Sequence, residues 1–153
     1  STTTGATAAL RDILFTGSLY VAVGYGGTII TSPDLSAWTD RSTGTADNLH
    51  SVAYSGDAFV AVGAGGAILV SNDGSSWTPA ESNTPRTLYG VAWAGDEFVA
   101  VGASATIVTS PDGATWSAGS SALPPGTYKS VAYTGTRLVA VGNDGVVVTR
   151  ESP

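Results

Sequence analysis

Short apolar segments recur along the chain, and glycine, serine, threonine or proline residues separate them. The segment that opens each unit ends in a glycine, at Gly17, Gly56, Gly95 and Gly135. These glycines follow one another in steps of 39, 39 and 40 residues. A fixed period of about 20 to 50 residues is the signature of a solenoid or a propeller. The chain is therefore organised as four repeats of about 39 residues.

Each repeat continues with two further apolar runs. The first of them contains Val-Ala-Val-Gly and lies at 20–24, 59–63, 98–102 and 138–142. The second is rich in β-branched residues and lies at 29–30, 68–70, 107–108 and 146–148. Glycine-containing turns join the two runs, so each pair predicts a β-hairpin. Because both runs are apolar without strict alternation, both faces of each sheet should be buried against neighbouring sheets.

Three repeats then carry a polar turn and a tryptophan, which completes a unit of four short strands. The pattern predicts an all-β fold, a β-propeller with four four-stranded blades in one domain over residues 1–153. The predicted repeats are approximately 10–48, 49–87, 88–127 and 128–153. Residues 1–9 should complete the last repeat, which stops before its own tryptophan. We expect this pairing of the termini to close the ring, either within one chain or, as an eight-bladed homodimer, by strand exchange between two chains.

Composition narrows the possible functions. The 153 residues include 20 glycines and 7 prolines, and 12 acidic against 6 basic residues give a net charge of −6. Only one of the six basic residues is a lysine, so we expect no basic surface that could bind a phosphate backbone. Nucleic acid is therefore not an expected partner. No apolar run reaches the length of a membrane span, so neither membrane insertion nor an uncleaved signal peptide is expected. Abundant serine, threonine and glycine favour a secreted or cell-surface protein.

The chain has few residues that are suited to catalysis or to metal binding. The chain has no cysteine and one histidine. Disulfides, thiolate zinc sites, cysteine nucleophiles and multi-histidine metal sites are therefore excluded within one chain. We expect no cofactor, no metal and no catalytic residues.

The polar turn that ends three of the repeats follows the pattern Ser-x-Asp-Gly-x-x-Trp. Its aspartate and tryptophan pairs are Asp34 and Trp38, Asp73 and Trp77, and Asp112 and Trp116. Together with Val-Ala-Val-Gly, this pattern resembles the Asp-box or BNR-type repeats of bacterial secreted propellers, in a variant one residue shorter. The first copy has Leu35 in place of glycine. The repeats are also similar to those of photosystem assembly propellers. The resemblance implies a propeller but no activity, because sialidases, lectins, adhesins and receptors all carry Asp boxes.

The three repeated aspartates are predicted to be structural. A residue that recurs at one position in successive blades serves the blade, and an aspartate there can accept backbone N–H bonds across its turn. The tryptophans Trp38, Trp77 and Trp116 should pack beneath these turns. Because successive copies lie one blade apart, they cannot act as a pair of catalytic carboxylates.

Residues that vary within the repeat are better candidates for binding. The second position of the innermost strand holds Arg11, His50, Tyr89 and Lys129. In a propeller this position lies near the mouth of the central channel, where ligands bind. Three potential cations and a phenol favour an anionic or hydroxyl-rich ligand, and the alternative is a set of merely solvated side chains. A bound sugar would be expected to stack on Tyr25 or Tyr89.

The loops between blades are long and differ from one another, at 40–48, 79–87 and 117–127, and they are further candidates for recognition. Together these features favour a non-enzymatic binding or scaffolding module, possible partners being a protein or a glycan surface. One alternative is an engineered or excised repeat protein with only an architectural role. A relative of the Asp-box glycoside hydrolases would need an arginine cluster, but the arginines are spread over different parts of the repeat.

Overall fold

A computed structural model describes residues 4–119 and 123–151, which form four consecutive antiparallel sheets. The first two sheets consist of β1 (Leu10–Phe15), β2 (Tyr20–Gly24), β3 (Ile29–Ser32) and β4 (Thr39–Asp40), then β5 (Leu49–Tyr54), β6 (Phe59–Gly63), β7 (Ile68–Ser71) and β8 (Thr78–Ala80). The other two consist of β9 (Leu88–Trp93), β10 (Phe98–Gly102), β11 (Ile107–Ser110) and β12 (Ser117–Ala118), then β13 (Tyr128–Tyr133), β14 (Arg137–Gly142) and β15 (Val147–Glu151).

Within every sheet the strands are hydrogen-bonded in chain order. The first strands of successive sheets, β1, β5, β9 and β13, also contact one another, so they form the inner side of the assembly. This arrangement confirms the predicted all-β propeller with four blades. In the described residues the fourth blade has three strands, and residues 4–9 form no strand. Residues 1–3, the rest of the segment predicted to complete that blade, lie outside the described part.

The middle hairpin of each blade turns through a single 3-10 turn. These turns are Tyr25–Gly27, Ala64–Gly66, Ala103–Ala105 and Asn143–Gly145. The last two residues of each turn have positive φ, such as 64° at Gly65 and 79° at Gly66. Such backbone favours glycine because it lacks a Cβ. No helix in the described ranges is long and apolar enough to cross a membrane.

Three apolar clusters, one at each junction between consecutive blades, form the core. At the first junction Val21 and Val23 of β2 pack with Val52 of β5 and with Phe59 and Ala61 of β6. Val60 and Val62 alternate with these β6 residues, point to the opposite face and belong to the second cluster. The run Phe-Val-Ala-Val is therefore apolar throughout because its two faces serve different junctions.

The other members of these clusters occupy equivalent positions. At the second junction Phe98, Ala100 and Trp116 of the third blade meet the second blade. At the third junction Val99 and Val101 pack with residues of the fourth blade, of which the largest buried one is Tyr128. The sequence therefore repeats because consecutive blades pack against each other through the same kind of junction.

Prediction for the turn of the second blade. A Cβ added at Gly66 would lie 1.9 Å from the carbonyl oxygen of Thr84, whereas at Gly65 it would meet nothing within 4 Å. Both positions have positive φ, so alanine at either costs about 1 kcal/mol in backbone strain. We expect Gly66→Ala to lower the free energy of unfolding by about 2 to 4 kcal/mol, because the clash with backbone adds to the strain. Urea denaturation of both variants measures the difference. An equal decrease in the free energy of unfolding for the two variants would contradict the close approach of Gly66 to the carbonyl of Thr84.

Candidate functional site

A β-bulge interrupts the pairing of the first and second strands in every blade. In the first blade Leu10 pairs with Gly24 and Asp12 pairs with Val23, so Arg11 is the extra residue. The same register shift occurs in the other three blades. The extra residues there are His50, Tyr89 and Lys129. A bulge re-aims the side chain of its extra residue, so the four variable positions share one local geometry.

The structure brings these four side chains together with Tyr25, and we call the five residues the inner row. The guanidinium carbon of Arg11 lies 5.3 Å from the centre of the Tyr25 ring. The ring centroids of Tyr25 and His50 are 6.2 Å apart in an edge-to-face arrangement, and those of His50 and Tyr89 are 5.1 Å apart. Lys129 Nζ lies 3.6 Å from the centre of the Tyr89 ring. The inner row is thus three aromatic rings with a cation at each end.

Cation–π contacts orient the two cations without neutralising them. Among the described residues, the ion pairs are Arg137 with Glu151 and Arg150 with Glu97. Arg11 and Lys129 therefore have no carboxylate within 4.0 Å in this part of the chain. On a protein of net charge −6 the inner row is a local positive region.

His50, in the middle of the inner row, is half-buried. Its burial and the charges of Arg11 and Lys129 lower the pKa of the imidazole below its usual value of 6.5. The neutral form of the ring is therefore favoured at pH 7. Its Nδ1 atom is buried and has no hydrogen-bond partner among the described residues. A carboxylate bound at the row would favour the protonated ring through its negative charge.

Bonds between adjacent inner strands fix the spacing of the row. Asp12 Oδ2 accepts hydrogen bonds from Ser51 Oγ and from the backbone N–H of Val52, both at 2.9 Å. Ser51 Oγ in turn accepts from the backbone N–H of Val91 at 3.4 Å. In the first two blades, the residue that follows the bulge therefore ties its strand to the next blade. Sequence reasoning did not single out Asp12, although its position directly after a variable residue was visible in the repeat.

The three repeated aspartates lie in the turns after the third strands. Asp73 Oδ1 accepts the backbone N–H groups of Ser75 and Ser76 at 2.7 Å each. Asp112 Oδ1 makes the corresponding bonds to Ala114 and Thr115. Asp34 Oδ1 accepts the backbone N–H and the hydroxyl of Ser36.

Two tryptophans close these turns. Trp77 Nε1 donates to the carbonyl of Gly74 at 3.1 Å, and Trp116 Nε1 donates to the carbonyl of Gly113 at 2.6 Å. Both rings are buried, while Trp38 in the first blade is half-buried. The three aspartates lie in three different blades, and each accepts hydrogen bonds within its own turn. This geometry is suited to stabilising the turn.

The loops between blades form a second concave surface. A groove of about 740 Å³ lies between the loop that contains Asp47 and the loop that contains Glu81, Asn83 and Thr84. Its ionisable lining residues, Asp47 and Glu81, are both acidic. In residues 4–119 and 123–151 no group of three or more His, Cys, Asp or Glu side chains could hold a metal ion. Of these two surfaces, the inner row is the more distinctive, because it combines two cations with three aromatic rings.

Four consecutive antiparallel blades joined through apolar faces define this chain as a β-propeller protein with a cationic and aromatic row on its inner strands. Residues 1–137 match the family model described as the DUF6242 beta propeller domain, so the chain belongs to that family. No curated protein matches the chain.

Solved structures share the fold at low sequence identity. YCF48 from Cyanidioschyzon merolae superposes with a TM-score of 0.75 at 16% identity, over 95% of this chain and 51% of that chain. A structure of YCF48 bound to D1 peptide gives a TM-score of 0.75 at 20% identity, over 97% and 52%. The computationally designed Ika4 protein gives 0.80 at 15% identity, over 97% and 94%. The chain spans about half the length of YCF48.

Prediction for the aspartate turns. Hydrogen bonds from the backbone of Ser76 and Ser75 lower the pKa of Asp73 from 3.8 to about 2. The ionised form is therefore favoured in the folded state, and its stabilisation is present above pH 3.8 and lost as the pH falls towards 2. We expect Asp73→Asn to be less stable than the wild type at pH 7, with the difference shrinking between pH 4 and pH 2.

Urea denaturation at a series of pH values measures this difference. Asp57→Asn, which removes an exposed carboxylate from the turn between β5 and β6, is the control and should have little effect on the free energy of unfolding. A wild-type advantage over Asp73→Asn that stays constant down to pH 2 would show that the charge of Asp73 does not support its turn.

Proposed function

We propose that this chain is a non-enzymatic binding module that holds an acidic peptide segment of another protein against the inner row. The observation that carries the proposal is the pair of cations, Arg11 and Lys129, each placed over a tyrosine ring and neither neutralised by a carboxylate in the described ranges. Guanidinium and ammonium groups bind carboxylates through charge-assisted hydrogen bonds. The proposed setting is extracellular, in keeping with the composition.

A peptide fits the inner row better than a sugar does. A sugar stacks on an open aromatic face, but Lys129 Nζ covers one face of Tyr89 at 3.6 Å, and Arg11 lies over Tyr25. Acidic side chains on an extended peptide could reach both cations while its backbone crosses His50. The structure of YCF48 bound to D1 peptide supports this proposal at the level of the fold, since that propeller binds a peptide.

Catalysis is not part of the proposal. Hydrolysis by an Asp-box enzyme would need an arginine cluster, yet Arg137 pairs with Glu151 within the fourth blade and Arg150 pairs with Glu97 of the third blade. The architectural alternative has its own support, since the designed Ika4 protein has the same fold over 94% of its length. That alternative predicts that no ligand binds the inner row.

Prediction for the inner row. A rhodamine-labelled peptide of alternating glutamate and glycine should bind, and a matched lysine and glycine peptide should not. We expect Arg11→Ala and Lys129→Ala each to weaken binding about tenfold, which corresponds to about 1.4 kcal/mol. Fluorescence anisotropy measures the dissociation constants. Arg86→Ala is the matched control, because it removes an exposed arginine from the loop between β8 and β9 and should leave binding unchanged.

Three outcomes decide between the candidates. Loss of binding in both inner-row variants and not in Arg86→Ala supports the peptide module. Equal affinity for the acidic and the basic peptide, or no binding at all, favours the architectural role. Binding of neutral oligosaccharides on a glycan array, abolished by Tyr89→Ala, would replace the peptide proposal with a lectin-like one.

Prediction for the pH dependence. Burial and the charges of Arg11 and Lys129 hold the pKa of His50 below 6.5 in the free protein. A bound carboxylate raises that pKa, so binding takes up a proton and strengthens as the pH falls from about 7 to about 5.5. The carboxylates of the peptide stay ionised over this range. We expect His50→Gln to lose the increase, as measured by anisotropy at each pH. An increase of the same size in His50→Gln would assign the pH effect to another group.

A further inference from the structure

The two end blades carry apolar faces that the described part of the chain leaves uncovered. On the first blade the exposed fractions of Leu10, Ile13 and Phe15 are 40%, 55% and 52%. Their equivalents in the second blade include Leu49 and Val52, which are 0% and 6% exposed because the first blade covers them. The first blade therefore presents the same face as the others, with no blade packed on it.

The fourth blade shows the opposite half of the same junction. Val141 and Val147 are 40% and 62% exposed. The equivalent residues of the second blade, Val62 and Ile68, are 0% and 2% exposed because the third blade covers them. The first and fourth blades thus each present half of a junction, and the two halves are of opposite type.

The aromatic pairs support this equivalence. Phe15 and Tyr20 stack with their centroids 4.2 Å apart and their planes at 22°. Tyr54 and Phe59 stack in the same way in the second blade, at 4.2 Å and 27°, where they pack against the first blade. The uncovered side of the first blade therefore carries the same stacked aromatic pair that the second blade uses at its junction with the first blade.

Residues 4–119 and 123–151 of one chain leave both halves uncovered, whereas a second copy can cover both at once. We infer that two copies of this chain join end to end, the fourth blade of each against the first blade of the other, in a closed eight-bladed ring. A two-fold axis then relates two identical seams. The chain also superposes on about half of the longer propeller YCF48.

A hydrogen bond that is made at the first and second junctions also suits the seam. Asp12 and Ser51, each directly after a bulge, accept the backbone N–H groups of Val52 and Val91 in the next blade. Ser130 holds this position in the fourth blade and is exposed. At a seam its hydroxyl would accept the N–H of Ile13 of the partner subunit.

The same seam would complete the inner row. The bulge residues follow one another in the order Arg11, His50, Tyr89 and Lys129, so at each seam Lys129 of one copy would lie next to Arg11 of the partner subunit. Each seam then holds two adjacent cations, which suits a single carboxylate or a pair of them. This step rests on the proposed function, whereas the ring itself does not.

The first test is the solution mass by light scattering from about 1 to about 100 µM. The expected mass is about 31 kDa, twice the 15.3 kDa of the chain. We expect Ile13→Lys, which places a charge in each seam, to give a folded protein of about 15 kDa, because Ile13 is exposed in the single chain. Ser18→Lys adds the same charge to an exposed turn of the first blade and should remain a dimer. Circular dichroism checks that both variants fold.

A wild-type mass of about 15 kDa at all concentrations would overturn the inference. So would a mass that grows with concentration beyond two chains, since that indicates an open polymer. Peptide binding is measured separately on the same samples. A dimer that does not bind the acidic peptide would support the ring and overturn the proposed function. A monomer that binds the peptide would overturn the ring and support the proposed function.

Cysteine cross-linking gives an independent test, because the chain has no cysteine of its own. The double variant Ile13→Cys and Ser130→Cys should form a covalent dimer on oxidation. An internal disulfide at the mass of one chain would show a self-closed ring, and two free thiols would show no closure, so either result overturns the inference. The double variant Ser18→Cys and Ser130→Cys is the control and should stay reduced.

Discussion

A blade of this protein is a single sheet that is apolar on both faces, and it can bury those faces only between two other blades. Phe59 and Ala61 face one neighbour, and Val60 and Val62 face the other. Burying one such side chain contributes about 1.5 to 3 kcal/mol, so a blade alone would expose much of what stabilises it. The repeated Val-Ala-Val-Gly motif, the small alanines between blades and the order of the sheets all follow from this constraint.

The constraint also explains why the inner row is free to vary. Along a regular strand every side chain points to one face or the other, so each position is committed to a junction. The bulge inserts one residue that belongs to neither face. Arg11, His50, Tyr89 and Lys129 occupy that position, and none of them belongs to the apolar cluster of a junction. A position outside the apolar clusters is where a repeat protein can vary its residues for recognition while the core is kept.

Much of the fold could be predicted from the sequence because each blade repeats the same local pattern. Hairpin positions, the number of blades and the two-faced burial were all visible in the spacing of apolar runs and glycines. The bulges were not visible, because they depend on the register between two strands. The place of Tyr25 in the inner row could not be predicted either, since it lies on a turn, and its contacts with Arg11 and His50 arise only when two blades are packed together.

The electrostatics of the inner row shape which ligands it can select. At physiological ionic strength the repulsion from the net charge of −6 and the attraction of the two cations are both screened beyond about 8 to 10 Å. An acidic segment is therefore attracted to the row only when its carboxylates come within about that distance of the cations. Selection then depends on the position of a few acidic groups along a segment rather than on its total charge. Because His50 lies between the cations and its neutral form is favoured in the free protein, a correctly placed carboxylate gains an additional positive charge only after it is seated.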